Sequence, residues 1–403
     1  MFSLYSHTFA VRLFISPRCI DGHAVDLYLM SNKMTRKTVL IFGGNGFLGS
    51  ETVAHLIKTN KCNISLINRG RSWDWGWKEK ILPDVARYFK WDRRKPLKEC
   101  SEFMRWFQEV ESIDCVVDFS GYEPNYIADA TETIHAKTKL YIFISTDSVY
   151  EVCEKRHERF TSESDDTRPK DRVKRKRLKR RDSYGYKKWK CEHILKKCAD
   201  LNHVILRLAD VVGPRDSTDR WWQYQLWLKA ASICGLPLYI PQPLEGKNLS
   251  LVYVSDVAGV ITNIVTSTVN LQHVANNAFN LAFQETPTLQ GLLLKISSRI
   301  QGIDTCCKII FTSNTEVPHI YPSVENGPID ITKSKSLLNW DPTPLDEAVD
   351  RTVIFYENLQ NQSGYEDSKH DMFETLCEDL SDLYSEVQFV QLRKELKEIL
   401  SIE

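Results

Sequence analysis

The sequence predicts an α/β protein: a doubly wound parallel sheet with a smaller C-terminal region laid over its end. Three observations carry that expectation. From Lys37 onward, short apolar runs alternate with amphipathic segments, which is the pattern of βαβ units. The first run ends in a glycine-rich turn that leads directly into a helical pattern. Beyond Gly213-Pro214 the alternation gives way to the aromatic-rich stretch TDRWWQYQLWLKA, then to Pro/Gly-rich sequence up to Gly246.

Taken in order, residues 1–36 form an N-terminal extension. Arg12, Arg18 and few acids resemble a mitochondrial transit peptide, but Asp21 and Asp26 spoil that pattern. Met34 directly precedes TRKTVLIFGG, a natural start for a first strand, so a dispensable extension is favoured. Strands are expected at Thr38–Phe42, Ile64–Asn68, Cys115–Phe119, Leu140–Ser145 and Val204–Leu208, and helices at Gly46–Thr59, Asn125–Ala136 and Tyr184–Cys198. Residues 37–215 read as the nucleotide-binding core, with a basic insertion at 168–182. Residues 216–357 read as a substrate region interleaved with returning core elements. Residues 358–403 read as an acidic helical tail. From Tyr365 this tail has 11 Asp/Glu against 4 Lys/Arg, and Leu376, Leu380, Leu383, Val387 and Val390 recur at helical spacing. One helix with one apolar stripe is expected there, packed back onto the body.

The chain has 403 residues and no formal net charge, so any attraction to nucleic acid or membrane must be local. Its 11 cysteines lack CxxC or Cys/His ligand spacing, which argues for reduced thiols and against a metal site. No apolar run has the length of a membrane helix. A cytoplasmic location is expected, with nuclear and mitochondrial ones as alternatives.

KTVLIFGGNGFLGSETVAHLI is a strand, a glycine turn and a helix in immediate succession, with GxxGxxG at Gly43, Gly46 and Gly49. Such a turn lets backbone amides and a helix N-terminus hold a pyrophosphate. Asn45, Phe47 and Leu48 belong to the same cradle. The second strand ends LINRGR, with Asn68, Arg69 and Arg71 where an acid would select NAD. An arginine fork suits a 2′-phosphate, so NADP is the first choice of cofactor and NAD the second. Asp92 in KWDRR is a candidate for the adenine amino group, and Ser120 stands just past the Cys115–Phe119 strand.

Two later motifs bear on chemistry. Thr146 follows the Leu140–Ser145 strand, and Tyr184-Gly-Tyr-Lys-Lys188 opens a helix. Residues four apart share a helix face, so Tyr184 and Lys188 point the same way. A neighbouring ammonium is expected to lower the tyrosine pKa, making Tyr184 an acid/base, while Lys188 also holds the nicotinamide ribose. Thr146 would orient the substrate oxygen. A second frame, Tyr186 to Lys190, has the same spacing; Tyr184 is preferred because Gly185 would let a ligand approach closely.

With these residues in place, the chain resembles the extended short-chain dehydrogenase/reductases, the NAD(P)-dependent epimerase/dehydratase type. The likeness rests on GxxGxxG, Ser145-Thr146-Asp147 with Val149-Tyr150, YxxxK at 184–188, LRLADVVGPRD at 206–216, LVYVSDVAGVI at 251–261 and IDITKSKSLLNWDPTPLDEAVDRTV at 329–353, and it covers residues 37–357. It implies a Rossmann core with a smaller C-terminal substrate-binding region, and Thr146, Tyr184 and Lys188 as the catalytic set. Three departures stand out. Sugar-nucleotide dehydratases carry glutamate where this chain has Ser148, so elimination is demoted. NRGR resembles the branch of chloroplast stem-loop-binding proteins, whose fold is associated with RNA. The segment between the Thr strand and the Tyr helix is also longer and more charged than the family's usual one.

That segment holds nine Lys/Arg and two Asp between Lys170 and Asp182. A solvated mobile insertion, an RNA-contacting or nuclear-import patch, and a lip attracting an anionic substrate all fit its composition. Cover by the acidic tail is a fourth expectation. The leading function is an NAD(P)-dependent oxidoreductase or epimerase moving a hydride to or from a carbonyl/hydroxyl substrate, with a sugar nucleotide as one class. The alternative is an RNA- or protein-binding member of the fold with little turnover, RNA meeting residues 170–181. A homodimer is a further expectation.

Overall fold

Buried on both faces, the strands of a parallel sheet read as near-continuous apolar runs, and this is how the central sheet is built. The computed structural model describes residues 36–70, 77–155, 157–314, 317, 321, 325–360, 362 and 364–402. The extension with Met34, and Arg71, lie outside them. In chain order the strands are β1 (Lys37–Phe42), β2 (Cys62–Asn68), β3 (Arg87–Lys90), β4 (Cys115–Asp118), β5 (Tyr141–Thr146), β6 (His203–Leu208), β7 (Asp210–Val212), β8 (Leu238–Pro241), β9 (Leu251–Tyr253), β10 (Asn277–Leu281) and β11 (Ile309–Thr312). Seven form the main sheet in the order β10-β6-β5-β4-β1-β2-β3, and every neighbouring pair is parallel. The five strands expected from the sequence all lie in this sheet, within two residues of their expected ends.

The helices are α1 (Phe47–Thr59), α2 (Trp77–Ile81), α3 (Ser101–Glu109), α4 (Pro124–Ile134), α5 (Arg172–Arg181), α6 (Ser183–Lys197), α7 (Arg220–Cys234), α8 (Val254–Val265), α9 (Leu271–Val274), α10 (Leu289–Ser297), α11 (Thr332–Leu338), α12 (Leu345–Gln360), α13 (Glu366–Leu380) and α14 (Glu386–Leu400). Alternation along β1 feeds two layers. Val39 and Ile41 join the core on the face covered by α1 and α8, while Leu40 and Phe42 join the core on the face of α3, α4 and α6. A further core, past the carboxyl ends of the strands, is organised around α7. There Trp221, Trp222, Tyr224 and Trp227 are buried among α10, α12, α13 and α14, so these aromatics fill core and do not line a site.

The tail departs from its expected single helix. Leu380 ends α13, Ser381–Leu383 forms a short 3-10 turn, and Ser385 with Gln388 makes a capping box that starts α14 afresh. The phase of the stripe is lost at that break. Leu376 and Leu380 are buried, but Val387 and Val390 are 82% and 63% exposed, and Leu392, Leu396 and Leu400 face the core instead. Both tail helices pack on α7, and α5 packs on α6 and the turn after β5, so the tail does not cover the basic block.

The basic segment is a helix anchored at both ends. Asp171 caps α5 by accepting from the Val173 amide, and three cations in the last turn face the negative end of the helix dipole. Leu178 is buried against Val152 and Cys153, beside Tyr186 and Trp189. Lys174 pairs with Glu154, and Arg181 pairs with Glu151 at 3.1 Å and Glu325 at 2.6 Å. Among the described residues no helix is long and apolar enough to cross a membrane.

Candidate active site

β1 lies between β2 and β4, so the chain's strand order reverses there, and a crevice opens beyond the carboxyl ends of these strands. The cleft has a volume of 1140 Å³ and is lined by Gly43, Asn45, Gly46, Phe47, Leu48, Gly49, Asn68, Arg69, Asp92, Ser120, Thr146, Tyr184 and Lys188. Every candidate site residue within the described part of the chain therefore meets in one place.

The glycine turn has the shape of a phosphate cradle. Gly43 takes a positive φ of 81°, and a Cβ at Gly49 would overlap the Gly43 carbonyl oxygen. Gly46 starts α1 without a side-chain cap, leaving the first-turn amides facing the cleft. At the end of β2, Asn68 is buried, with both amide atoms lacking a partner among the described residues. A dinucleotide would fit these features, with its pyrophosphate at the α1 amides and its adenosine ribose at Asn68. Asp92 is turned back on its own loop, where Arg94 donates to it from Nε at 2.9 Å and from its amide at 3.0 Å. These bonds hold the Asp92 carboxyl down at about 2.

At the other end of the cleft, Thr146 ends β5 and caps the following 3-10 turn, accepting from the Ser148 amide at 3.2 Å. Asp182 caps α6 by accepting from the Gly185 amide at 2.6 Å, which sets the phase of Tyr184 and Lys188 toward the cleft. Lys188 is only 2% exposed. Its Nζ donates to the Ile144 carbonyl at 2.8 Å and lies 4.9 Å from the Tyr122 and Phe143 ring centroids. Burial among these groups lowers its pKa to about 8. Tyr184 is 45% exposed, and Lys188 Nζ stands 5.9 Å from its ring centroid. The second frame turns away: Tyr186 stacks on Trp189 and faces Arg168 and Lys179.

Two expectations are corrected here. The Tyr184 pKa is raised, first by loss of water around the hydroxyl, then by Tyr122 and Asp147, with a hydrogen bond to Thr146 working the other way. Lys188 does not offset this, because its ammonium is turned to the Ile144 carbonyl. Gly185 serves packing, not ligand approach: a side chain there would strike the Ser148 carbonyl, so glycine lets α6 press against the turn after β5.

The comparisons with known proteins agree with this architecture. The family model described as "NAD dependent epimerase/dehydratase family" matches residues 39–282. The chain belongs to that family. Membership places it among enzymes whose name includes a nicotinamide cofactor. No curated protein matches it by sequence. Similar solved structures include a UDP-glucose 4-epimerase with UDP-glucose from Thermotoga maritima, at TM-score 0.57 and 21% identity, covering 80% of this chain and 99% of that one. A UDP-glucuronic acid 4-epimerase from Bacillus cereus, in complex with UDP-glucuronic acid and NAD, gives 0.58 and 19%, with 80% and 99% covered. A dTDP-glucose 4,6-dehydratase from Bacillus anthracis, in complex with NAD, gives 0.59 and 17%, with 80% and 97% covered.

Within this member of the epimerase/dehydratase family, several lining residues escaped the sequence reading. Arg93 is buried under the cofactor end, donating to Asp118 at 2.6 Å and Ser120 at 3.1 Å and lying 4.4 Å from the Phe42 ring. Asp118 also accepts from the Tyr141 hydroxyl at 2.6 Å. Asp147, Asp210, Asp216 and Arg220 line the opposite end. Nothing local marks Arg93, since its partner Asp118 comes from another strand, and the acids of the opposite end are brought to one wall from separate turns. An arginine between Asp92 and Arg94 reads as solvated surface until Asp118 is brought beside it.

Proposed function

We propose that this chain is an NAD(P)-dependent oxidoreductase or epimerase that moves a hydride to or from a carbonyl/hydroxyl carbon of a sugar nucleotide. The observation that carries this reading is the convergence of Thr146, Tyr184 and Lys188 on the cleft that holds the glycine cradle. When bound, the nicotinamide supplies the hydride donor or acceptor. Thr146 hydrogen-bonds the reacting oxygen and holds it in line with the Tyr184 hydroxyl. Tyr184, whose raised pKa keeps it a phenol at neutral pH, gives its proton to that oxygen in the reducing direction and takes it back in the oxidising one. Lys188, packed beneath, holds the ribose. Ser148 in place of a glutamate leaves elimination without its base. The sugar-nucleotide class is supported by the ligands named for the similar structures and by a cleft large enough for two nucleotides.

At the adenosine end the reading favours NADP over NAD. Asn68 supplies no carboxylate to repel a 2′-phosphate, and Arg69 is exposed beside it. Fluorescence titration with NADPH and NADH is the test. Tighter binding of NADPH is expected, with the preference removed by Arg69→Ala. Tyr184→Phe is expected to keep cofactor binding and lower turnover by roughly 100-fold or more. Failure of the purified protein to bind either nucleotide at millimolar concentration would end the reading.

A further inference from the structure

At the substrate end of the cleft, three acidic side chains stand on one wall with one guanidinium, which pairs with Asp210 alone of the three. Asp147 follows β5, Asp210 opens β7, and Asp216 precedes α7, so three separate turns bring them to one wall. Arg220 Nη1 donates to Asp210 at 2.6 Å, and its Nε donates to the Thr218 hydroxyl at 2.8 Å. Asp216 is buried, and its Oδ1 accepts from the Thr218 amide and hydroxyl, at 2.9 Å and 2.7 Å. That leaves two carboxyl oxygens over. Asp147 is 4% exposed and Asp216 wholly buried, yet among the described residues Oδ2 of each lacks a hydrogen-bond partner.

Unpaired buried carboxyl oxygens cost stability, and a ligand that satisfies them removes that cost. The wall does not have a cation site's geometry: among the described residues no group of three or more acids, histidines or cysteines is placed to hold a metal. Asp147, Asp210 and Asp216 also place three carboxyl groups beside one guanidinium on this wall, so a further negative charge there is disfavoured.

We propose that Asp147 and Asp216 select the reacting sugar by its hydrogen-bond donors, hydroxyl or ammonium, so that the enzyme accepts a neutral or amino hexose and rejects a uronic acid. Arg220, held by Asp210 and Thr218, is already neutralised and does not welcome a substrate carboxylate. This inference rests on the sugar-nucleotide reading above. It separates the two kinds of substrate named for the similar epimerases, UDP-glucose and UDP-glucuronic acid.

The test is cofactor-linked turnover, with binding by calorimetry, for UDP-glucose, UDP-glucosamine and UDP-glucuronic acid. The expected result is a kcat/KM for one or both uncarboxylated sugars at least tenfold above that for the uronate. UDP-glucose in the lead assigns hydroxyl donors to the two free oxygens, and UDP-glucosamine in the lead assigns an ammonium. Asp216→Asn is expected to shrink the discrimination several-fold while leaving cofactor affinity unchanged, the latter reporting an intact fold. Equal or better use of UDP-glucuronic acid overturns the inference and leaves the sugar-nucleotide reading standing. If none of the three is bound or turned over while the cofactor binds, the sugar-nucleotide reading falls and takes this inference with it.

Discussion

Lys188 is the residue on which the cleft's pH response turns. Its ammonium has a carbonyl and three aromatic rings for company but, among the described residues, no carboxylate within hydrogen-bonding distance, so burial outweighs attraction and the pKa falls to about 8. A lysine whose folded pKa lies below the unfolded value penalises the fold while charged. Stability therefore rises as pH climbs from about 8 toward the ordinary lysine range of about 10.4. With Lys188 in its proposed ribose-holding role, cofactor binding runs the opposite way, because the charge that would grip the ribose is lost as pH rises through about 8. The dissociation constant for NADPH is expected to rise about tenfold between pH 7 and 9.5. In Lys188→Met it should be weak and flat across that range. A wild-type constant unchanged over the interval would show that the ammonium is not part of the grip. The opposing case is Glu192, fully buried with Arg207 Nη2 at 2.6 Å, whose pKa is lowered although burial pushes it the other way. Its contribution is present at neutral pH and is lost as acid protonates it.

At the scale of elements, α5 shows how much one apolar residue changes a charge run. Composition alone makes Lys170 to Asp182 a solvated chain, since nine cations repel one another. What the composition hides is Leu178, which reaches Val152 and Cys153, and the rings of Tyr186 and Trp189 that take up Arg168 and Lys179. Leu178→Ala removes that anchor, a loss of about 2 kcal/mol or more. Trypsin cleavage within 170–181 should then speed by roughly tenfold, because cutting tracks the opened fraction of the helix. Equal cleavage of wild type and variant would mean that the anchor does not hold the helix. The same contrast explains what was legible in advance. The sheet strands, the glycine turn and the Tyr184–Lys188 face rest on local pattern, and the structure has them where the sequence puts them. The restart of the tail at Ser385, the burial of Arg93 and the wall of Asp147, Asp210 and Asp216 depend on contacts between distant segments, which no local period encodes.

For the whole molecule, the acidic tail is structural. Met372, Phe373, Leu376, Leu380, Leu392, Leu396 and Leu400 all enter the core around α7, and Trp227 Nε1 donates to the Tyr384 hydroxyl at 2.8 Å. Seven such side chains at about 1.5–3 kcal/mol each, an upper bound, rival the net stability of a whole domain. Deleting residues 365–403 is therefore expected to unfold the α7 region while the sheet core persists, read as a lower melting temperature and new binding of a hydrophobic dye. An unchanged melting temperature would put the tail outside the core. Since Arg220 opens α7, the same deletion would also disorder one wall of the cleft.

Asp182 links α5 to the rest of the fold in one further respect. Its amide donates to the Leu178 carbonyl and closes α5, while its carboxylate accepts from Gly185 and opens α6. The two helices thus share a single junction residue with no loop between them. The insertion behaves as a cassette: Asp171 and Asp182 are its fittings, Leu178 its pin, and Lys174 and Arg181 its ties to Glu154, Glu151 and Glu325. A different ten-residue helix that kept these contacts could be spliced in without moving Tyr184, so the rest of this surface can change separately from the chemistry.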